Sequence, residues 1–290
     1  MINLVLDCCN DLGEGPVWDH WQQQLIWVDF DNAKICRWRP GSQEYSFIRT
    51  PSEVMVAIPT DHGNLIAGMK KEIAIIDPGS CQIIKKVFLE REFPYSRIND
   101  GKCDSRGRLW VSTMDSEART GTGSLYKVNE DLSYEKMDTS FIIPNGLAWS
   151  DDNKIMFLID SALRRVYQYE FDAETGSISN RKILASTPSG LGLPDGMSID
   201  TEGNLWIAFW KGACIGCVDS VSGELLKRIK TPFGVPTSCC FGGQNLDILF
   251  ITSSRKYDSA ENVRKFEYAG GLFSSVFGSK GFEANFFREQ

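Results

Sequence analysis

The chain is patterned by a phrase that recurs along its length. A glycine opens a short apolar–polar alternation, a polar turn rich in Asp, Asn and Gly follows, and an aromatic-rich run closes it. Gly15-Pro16-Val17-Trp18-Asp19 leads to Leu25-Ile26-Trp27-Val28-Asp29, and Gly101-Lys102-Cys103-Asp104 leads to Arg108-Leu109-Trp110-Val111-Ser112. Gly146-Leu147-Ala148-Trp149-Ser150 leads to Ile155-Met156-Phe157-Leu158-Ile159, and Gly196-Met197-Ser198-Ile199-Asp200 to Asn204-Leu205-Trp206-Ile207-Ala208. Weaker copies begin at Val56 and at Ser238. Alternation with period two marks strands rather than helices, and the intervening runs Lys34–Trp38, Ser124–Val128 and Arg165–Tyr169 alternate in the same way. Six copies spaced by roughly 40–50 residues have the period of four-stranded propeller blades. The pattern therefore predicts an all-β chain, a six-bladed β-propeller occupying residues 1–290 as a single domain. Ile2–Leu6 is a strand without a blade of its own, placed to complete the last blade and hide the open sheet edges. Trp27, Trp110 and Trp206 share one register and are expected in the core between blades.

Composition narrows the function. Of 290 residues 42% are hydrophobic, which suits a large packed core. The formal net charge of -7, from 38 acids and 31 bases, argues against a nucleic-acid partner. No apolar run approaches the roughly 20 residues that span a bilayer, so no membrane partner is expected. Met1–Asn10 lacks the pattern of a secretion signal, and nine cysteines include the adjacent pairs Cys8-Cys9 and Cys239-Cys240. Adjacent residues on a strand face opposite ways, so these read as reduced thiols and a cytoplasmic location is expected. The only histidines are His20 and His62, both in turn-like stretches, which leaves little for a Ser-His-Asp triad or a His-rich zinc site. Hydrolytic chemistry, if present, falls to carboxylates and a metal.

The residues preceding the repeat glycines are Glu14, Asp100, Asn145 and Asp195. Each ends a loop before an inner strand, and the inner strands of a propeller line its central channel, so four oxygen donors on separate blades are brought to one mouth. Asp and Asn also favour turns before Gly, which is the plainer explanation for any one of them. Taken together they describe a hard, oxygen-rich site that suits Ca²⁺, Mg²⁺ or Mn²⁺ better than a soft metal.

At these residues the sequence resembles the regucalcin (senescence marker protein), gluconolactonase and luciferin-regenerating enzyme family. The resemblance runs from near Leu12 to near Phe282. It is carried by Gly13–Trp18, Arg97–Lys102, Asn145–Trp149, Leu193–Met197 and Thr237–Gly243, the last especially similar to the regucalcins of animals. It implies a six-bladed propeller with one divalent metal held by Glu14, Asn145 and Asp195, Ca²⁺ being the first choice and Zn²⁺, Mn²⁺ or Mg²⁺ the alternatives. It places Arg97 and Asn99 at the substrate and leaves Asp100 a turn or supporting role. A further substrate contact falls on Glu117, in a loop (Ser116–Gly123) several residues shorter than its vertebrate counterpart.

The expected activity is metal-dependent hydrolysis of a small-molecule sugar lactone, gluconolactonase-like. Asp195 is the candidate base that orients or deprotonates water, with Arg97 and Asn99 on the sugar. The alternatives are a regucalcin-type calcium-binding regulatory protein and a luciferin-regenerating-type hydrolase with another substrate. For Lys102 a solvated surface position is the expectation. Oligomeric state leaves no mark in the sequence.

Overall fold

The computed structural model of the protein describes residues 1–258 and 260–290. Its strands form six four-stranded antiparallel sheets, each a meander running outward from a central axis. Sheet I holds β2 (Gly13–Asp19), β3 (Gln24–Asp29), β4 (Lys34–Arg39) and β5 (Glu44–Arg49). Sheet II holds β6 (Val54–Pro59), β7 (Leu65–Met69), β8 (Glu72–Ile76) and β9 (Ile83–Phe88). Sheet III holds β10 (Ser96–Cys103), β11 (Leu109–Asp115), β12 (Gly123–Val128) and β13 (Tyr134–Phe141). Sheet IV holds β14 (Pro144–Trp149), β15 (Ile155–Asp160), β16 (Arg165–Asp172) and β17 (Ser177–Ser186). Sheet V holds β18 (Leu193–Ile199), β19 (Asn204–Trp210), β20 (Cys214–Asp219) and β21 (Leu225–Lys230). The sixth holds β22 (Pro236–Gly242), β23 (Ile248–Ser253) and β24 (Leu272–Ser275), completed by β1 (Asn3–Leu6). The fold is the expected six-bladed β-propeller, and β1 closes it by pairing antiparallel with β24.

The core lies between blades rather than within one. Six apolar clusters occupy the six interfaces between neighbouring sheets. In the closing interface Trp18, Trp27 and Trp38 of sheet I meet Phe250 and Leu272 of sheet VI. Second strands such as β3 and β19 are buried on both faces, because each blade is covered on either side. Outermost strands such as β5 and β21 are mostly exposed. Trp27, Trp110 and Trp206 are fully buried, as their shared register implies. Two of them are held by a turn device: Asp104 Oδ2 accepts the Trp110 indole N–H and Asp200 Oδ2 that of Trp206, both at 2.8 Å. In each turn the second carboxylate oxygen accepts two backbone N–H groups, so one buried acid fixes the turn and the aromatic beyond it. Six of the nine cysteines are buried and all nine are unpaired, consistent with small core residues.

Candidate metal and substrate site

In every inner strand the pairing register slips at the same level. The slips fall at Glu14/Val17, Val54/Val56, Ile98/Gly101, Asn145/Leu147, Pro194/Met197 and Pro236/Ser238. A bulge leaves residues outside the ladder and turns their side chains away from the regular alternation. Here the residues it releases include Asn99 and Asp100, Asp195, and the glycines after Glu14 and Asn145. The side chains also satisfy the amides that the bulge disturbs: Glu14 Oε2 accepts from Gly15 N (3.2 Å), Asp100 Oδ1 from Gly101 N (2.7 Å) and Asn145 Oδ1 from Gly146 N (3.2 Å). The following glycine is needed because inner strands crowd one another near the axis. A Cβ on Gly146 would lie 2.7 Å from the Asp195 carbonyl oxygen, and one on Gly196 would run into the Ser238 side chain. The polar-residue–glycine phrase in the sequence is thus a bulge with its own cap.

Glu14, Asn145 and Asp195 are buried together at this level on sheets I, IV and V. The Asn145 amide nitrogen donates to Asp195 Oδ1 and to Ser161 Oγ (3.2 Å). Burial, then the neighbouring Asp195 and Asp100 carboxylates, push Glu14 well above the ordinary carboxylate range. Burial and the Asp100 charge do the same to Asp195, against the opposing pull of the Asn145 amide and Arg97. Burial also raises Asp100, which Lys102 partly offsets. Desolvated carboxylates in one another's field are costly unless a cation joins them.

That donor set fits a hard divalent cation: two carboxylates and one carboxamide, all oxygen-bearing, with Glu14 engaged only by its neighbouring amide. Among the described residues no group of three or more His, Cys, Asp or Glu side chains is arranged to hold a metal, so a cation here depends on Asn145 as well as on the two acids. A half-turn of the Asn145 amide exchanges its nitrogen for an oxygen opposite Asp195.

The acidic group is flanked by Arg97 and Asn99. The Arg97 guanidinium donates from one nitrogen to Asn99 Oδ1 (2.8 Å) and to the Ile98 carbonyl (2.9 Å), and it sits over the Phe30 ring at 5.4 Å. Asn99 Nδ2 in turn donates to the Pro144 carbonyl (2.8 Å), which also accepts from Ser112 Oγ (2.9 Å). Burial draws Arg97 below its ordinary value, opposed by the charges of Glu14, Asp31 and Asp195. Glu117 lies on the exposed loop between β11 and β12, where its contacts are Arg119 (3.2 Å) and the Asp115 carboxylate (2.9 Å, from its backbone N–H), not the acidic group.

Sequence reasoning missed several residues here. Asp31 accepts from Lys256 (2.8 Å) and Tyr257 (3.3 Å), and the Tyr257 ring leans on Trp210. These come from loops between second and third strands, which the repeat register does not align. Thr237 occupies the bulge of sheet VI and ties it to the Gly13 carbonyl (2.5 Å). The shared register could have revealed it. Lys102 is the one clear reversal. It is part-buried rather than on the outer surface, and it donates to the Met197 carbonyl across the channel (2.8 Å), because this half of an inner strand looks into the lumen.

Residues 12–255 match the family model described as the SMP-30/Gluconolactonase/LRE-like region. The chain belongs to this family. A regucalcin of Danio rerio is 33% identical over 266 residues, covering 91% of this chain and 90% of that relative. A luciferin-regenerating enzyme structure superposes with a TM-score of 0.92 at 34% identity, over 99% of both chains. A regucalcin from Agrobacterium tumefaciens, described as a calcium-binding protein, gives 0.93 over 98% of this chain and 96% of its own, and at 23% identity that likeness speaks for the fold alone. In this family member Glu14, Asn99, Asn145 and Asp195 are buried at the level of the register slips in the inner strands. No helix among the described residues is long and apolar enough to cross a membrane.

Proposed function

We propose that this protein hydrolyses sugar lactones, using a divalent cation held by Glu14, Asn145 and Asp195. The observation that carries the reading is the convergence of those three side chains with the Arg97–Asn99 pair at one level of the channel. When bound, the cation supplies Lewis-acid polarisation of the lactone carbonyl and lowers the pKa of water. Asp195 takes the proton from water as the water oxygen joins the lactone carbonyl carbon. The bond from that carbon to the ring oxygen then breaks, and the same proton goes to the ring oxygen, giving the open aldonic acid. Arg97 spends one guanidinium nitrogen on Asn99 and Ile98, leaving its other N–H groups for ester or hydroxyl oxygens of the sugar. Asn99 is pinned by Arg97 on one side and the Pro144 carbonyl on the other, so it holds the guanidinium in place while keeping one N–H and one lone pair for substrate.

The test is a panel of purified protein against gluconolactone, galactonolactone and other aldonolactones, with Ca²⁺, Mn²⁺, Zn²⁺, Mg²⁺ or chelator. Metal-dependent ring opening supports the proposal, and tight cation binding with no turnover of any lactone overturns it. That second outcome is the signature of a calcium-binding regulatory role, which the all-oxygen donor set also favours. Turnover confined to a non-sugar ester or lactone supports a luciferin-regenerating-type hydrolase instead.

A further inference from the structure

The channel holds a chamber at the end away from the acidic group. A cavity of about 450 Å³ opens among the last residues of the inner strands and the turns that follow them. That size is within the range of small-ligand sites. Trp18, Trp149, Phe241 and Ile58 border it from the blade interfaces, where they are buried, and Ile199, Phe282 and Ala284 present the more open apolar surface. Lys102 lines it and reaches from sheet III across the lumen to the Met197 carbonyl of sheet V. An ammonium group carries three N–H donors, and that carbonyl takes one. Asp100 offsets the Lys102 charge from a distance, without a hydrogen bond, and burial draws the ammonium below its ordinary value. Two donors are thus left for the lumen that Lys102 lines.

The outer end of the cavity is crossed by the C-terminal segment. Gly281 bridges to Asp200 and its amide donates to Leu246 O (2.8 Å). Phe287, fully buried, bridges to Thr60 and donates to Pro59 O (2.9 Å). Between these pins Phe282, Ala284 and Asn285 lie over the opening, and Asn285 donates to the Cys103 carbonyl (3.3 Å). The segment is fastened to sheets V, VI, II and III, so it is a built wall and not a loose end. The outer rim also carries Asp151 and Glu283, both exposed to solvent, with Glu283 facing His20 at 3.6 Å. Any carboxylate bound here is therefore oriented inward, away from the rim acids.

We infer that this chamber is a binding site for a small carboxylate with an aromatic or alicyclic body, its acid group on Lys102 and its body against Ile199 and the covering segment at Phe282 and Ala284. This site is separate from the lactone-binding end. The probes are 2-naphthoate and its neutral counterpart 2-naphthamide, titrated calorimetrically into the full-length protein. A charge-assisted hydrogen bond predicts that the acid binds at least about tenfold tighter than the amide. Lys102→Met is expected to bring the acid down to the amide's affinity. Ala284→Trp, on the covering segment and away from the Lys102 charge, is expected to abolish binding of both. Should Lys102→Met fail to fold, the acid–amide contrast and the Ala284→Trp variant still decide the question. No binding of the acid at millimolar concentration, equal affinity for acid and amide, or full binding in folded Ala284→Trp each overturns the inference.

Discussion

At the scale of single residues, Asp195 is the side chain on which most depends. Asp195→Asn keeps the shape and the contact to Asn145 but removes a charge from the donor set. Calcium affinity should fall by more than about 100-fold, measured by titration of the chelated protein, with lactone turnover lost in parallel and the fold intact by circular dichroism. Retained affinity would remove Asp195 from the metal set. Arg97 and Glu117 separate a buried contact from an exposed one. Arg97→Ala should lower kcat/KM on whichever aldonolactone is turned over by about 10–100-fold, the worth of a charge-assisted hydrogen bond. Glu117→Ala should stay within about threefold, because Glu117 is exposed and paired with Arg119 rather than with the acidic group. A large loss from Glu117→Ala would mean that its loop folds over the bound sugar. Glu14, Asn145 and Asp195 were legible because each stands one residue before a glycine in a repeated phrase. Lys102 was not, since a period-two pattern marks a polar face without saying whether that face meets bulk water or an enclosed lumen. Asp31 and Tyr257 were not, since their loops differ from blade to blade.

Among elements, the inner strand does two jobs on its two halves. Its first half bulges and presents oxygen donors, while its second half pairs regularly and feeds a turn into the aromatic second strand. The Asp104 and Asp200 turns join the halves to the core. Asp104 is fully buried and accepts from Arg106 N, Arg108 N, Arg108 Nε and the Trp110 indole. Asp104→Ala leaves those donors without their partner and should cost about 2–4 kcal/mol, read as a lower urea midpoint at unchanged slope. A loss below about 0.5 kcal/mol would show that water replaces the carboxylate at no real cost. The strand order of each blade was legible from alternation and turn spacing, and so was the closing role of β1, an orphan strand with an edge to fill. The C-terminal segment was not. It makes isolated bridges at Asp200 and Thr60 and no ladder, so nothing periodic distinguishes its residues from a tail.

For the whole molecule, the excess of acids matters through its placement. Most are exposed or engaged in turns, whereas Glu14, Asp100 and Asp195 are gathered on the axis with Arg97 above and Lys102 below. This arrangement makes stability depend on pH and on cations in a linked way. In the chelated protein Glu14 and Asp195 hold protons to higher pH than they do in the unfolded chain, because burial and like charge penalise their ionised forms. Above the ordinary carboxylate value of about 4, the folded state therefore carries more protons than the unfolded state, and the sign of the linkage is that stability falls as pH rises toward the raised values. A divalent cation that binds only the folded chain takes the place of those protons and adds about 2.7 kcal/mol at a hundredfold excess over its Kd. With chelator present, the urea midpoint should be lower at pH 8 than at pH 5. With excess Ca²⁺ it should rise at pH 8 by more than at pH 5, where protons compete for the same oxygens. In the Glu14→Gln/Asp195→Asn double variant both effects should shrink together, since one pair of groups produces them. A chelated native protein that is equally stable at the two pH values, or a Ca²⁺ increment that survives in the double variant, would place the cation, the charge cost, or both, elsewhere in the ring.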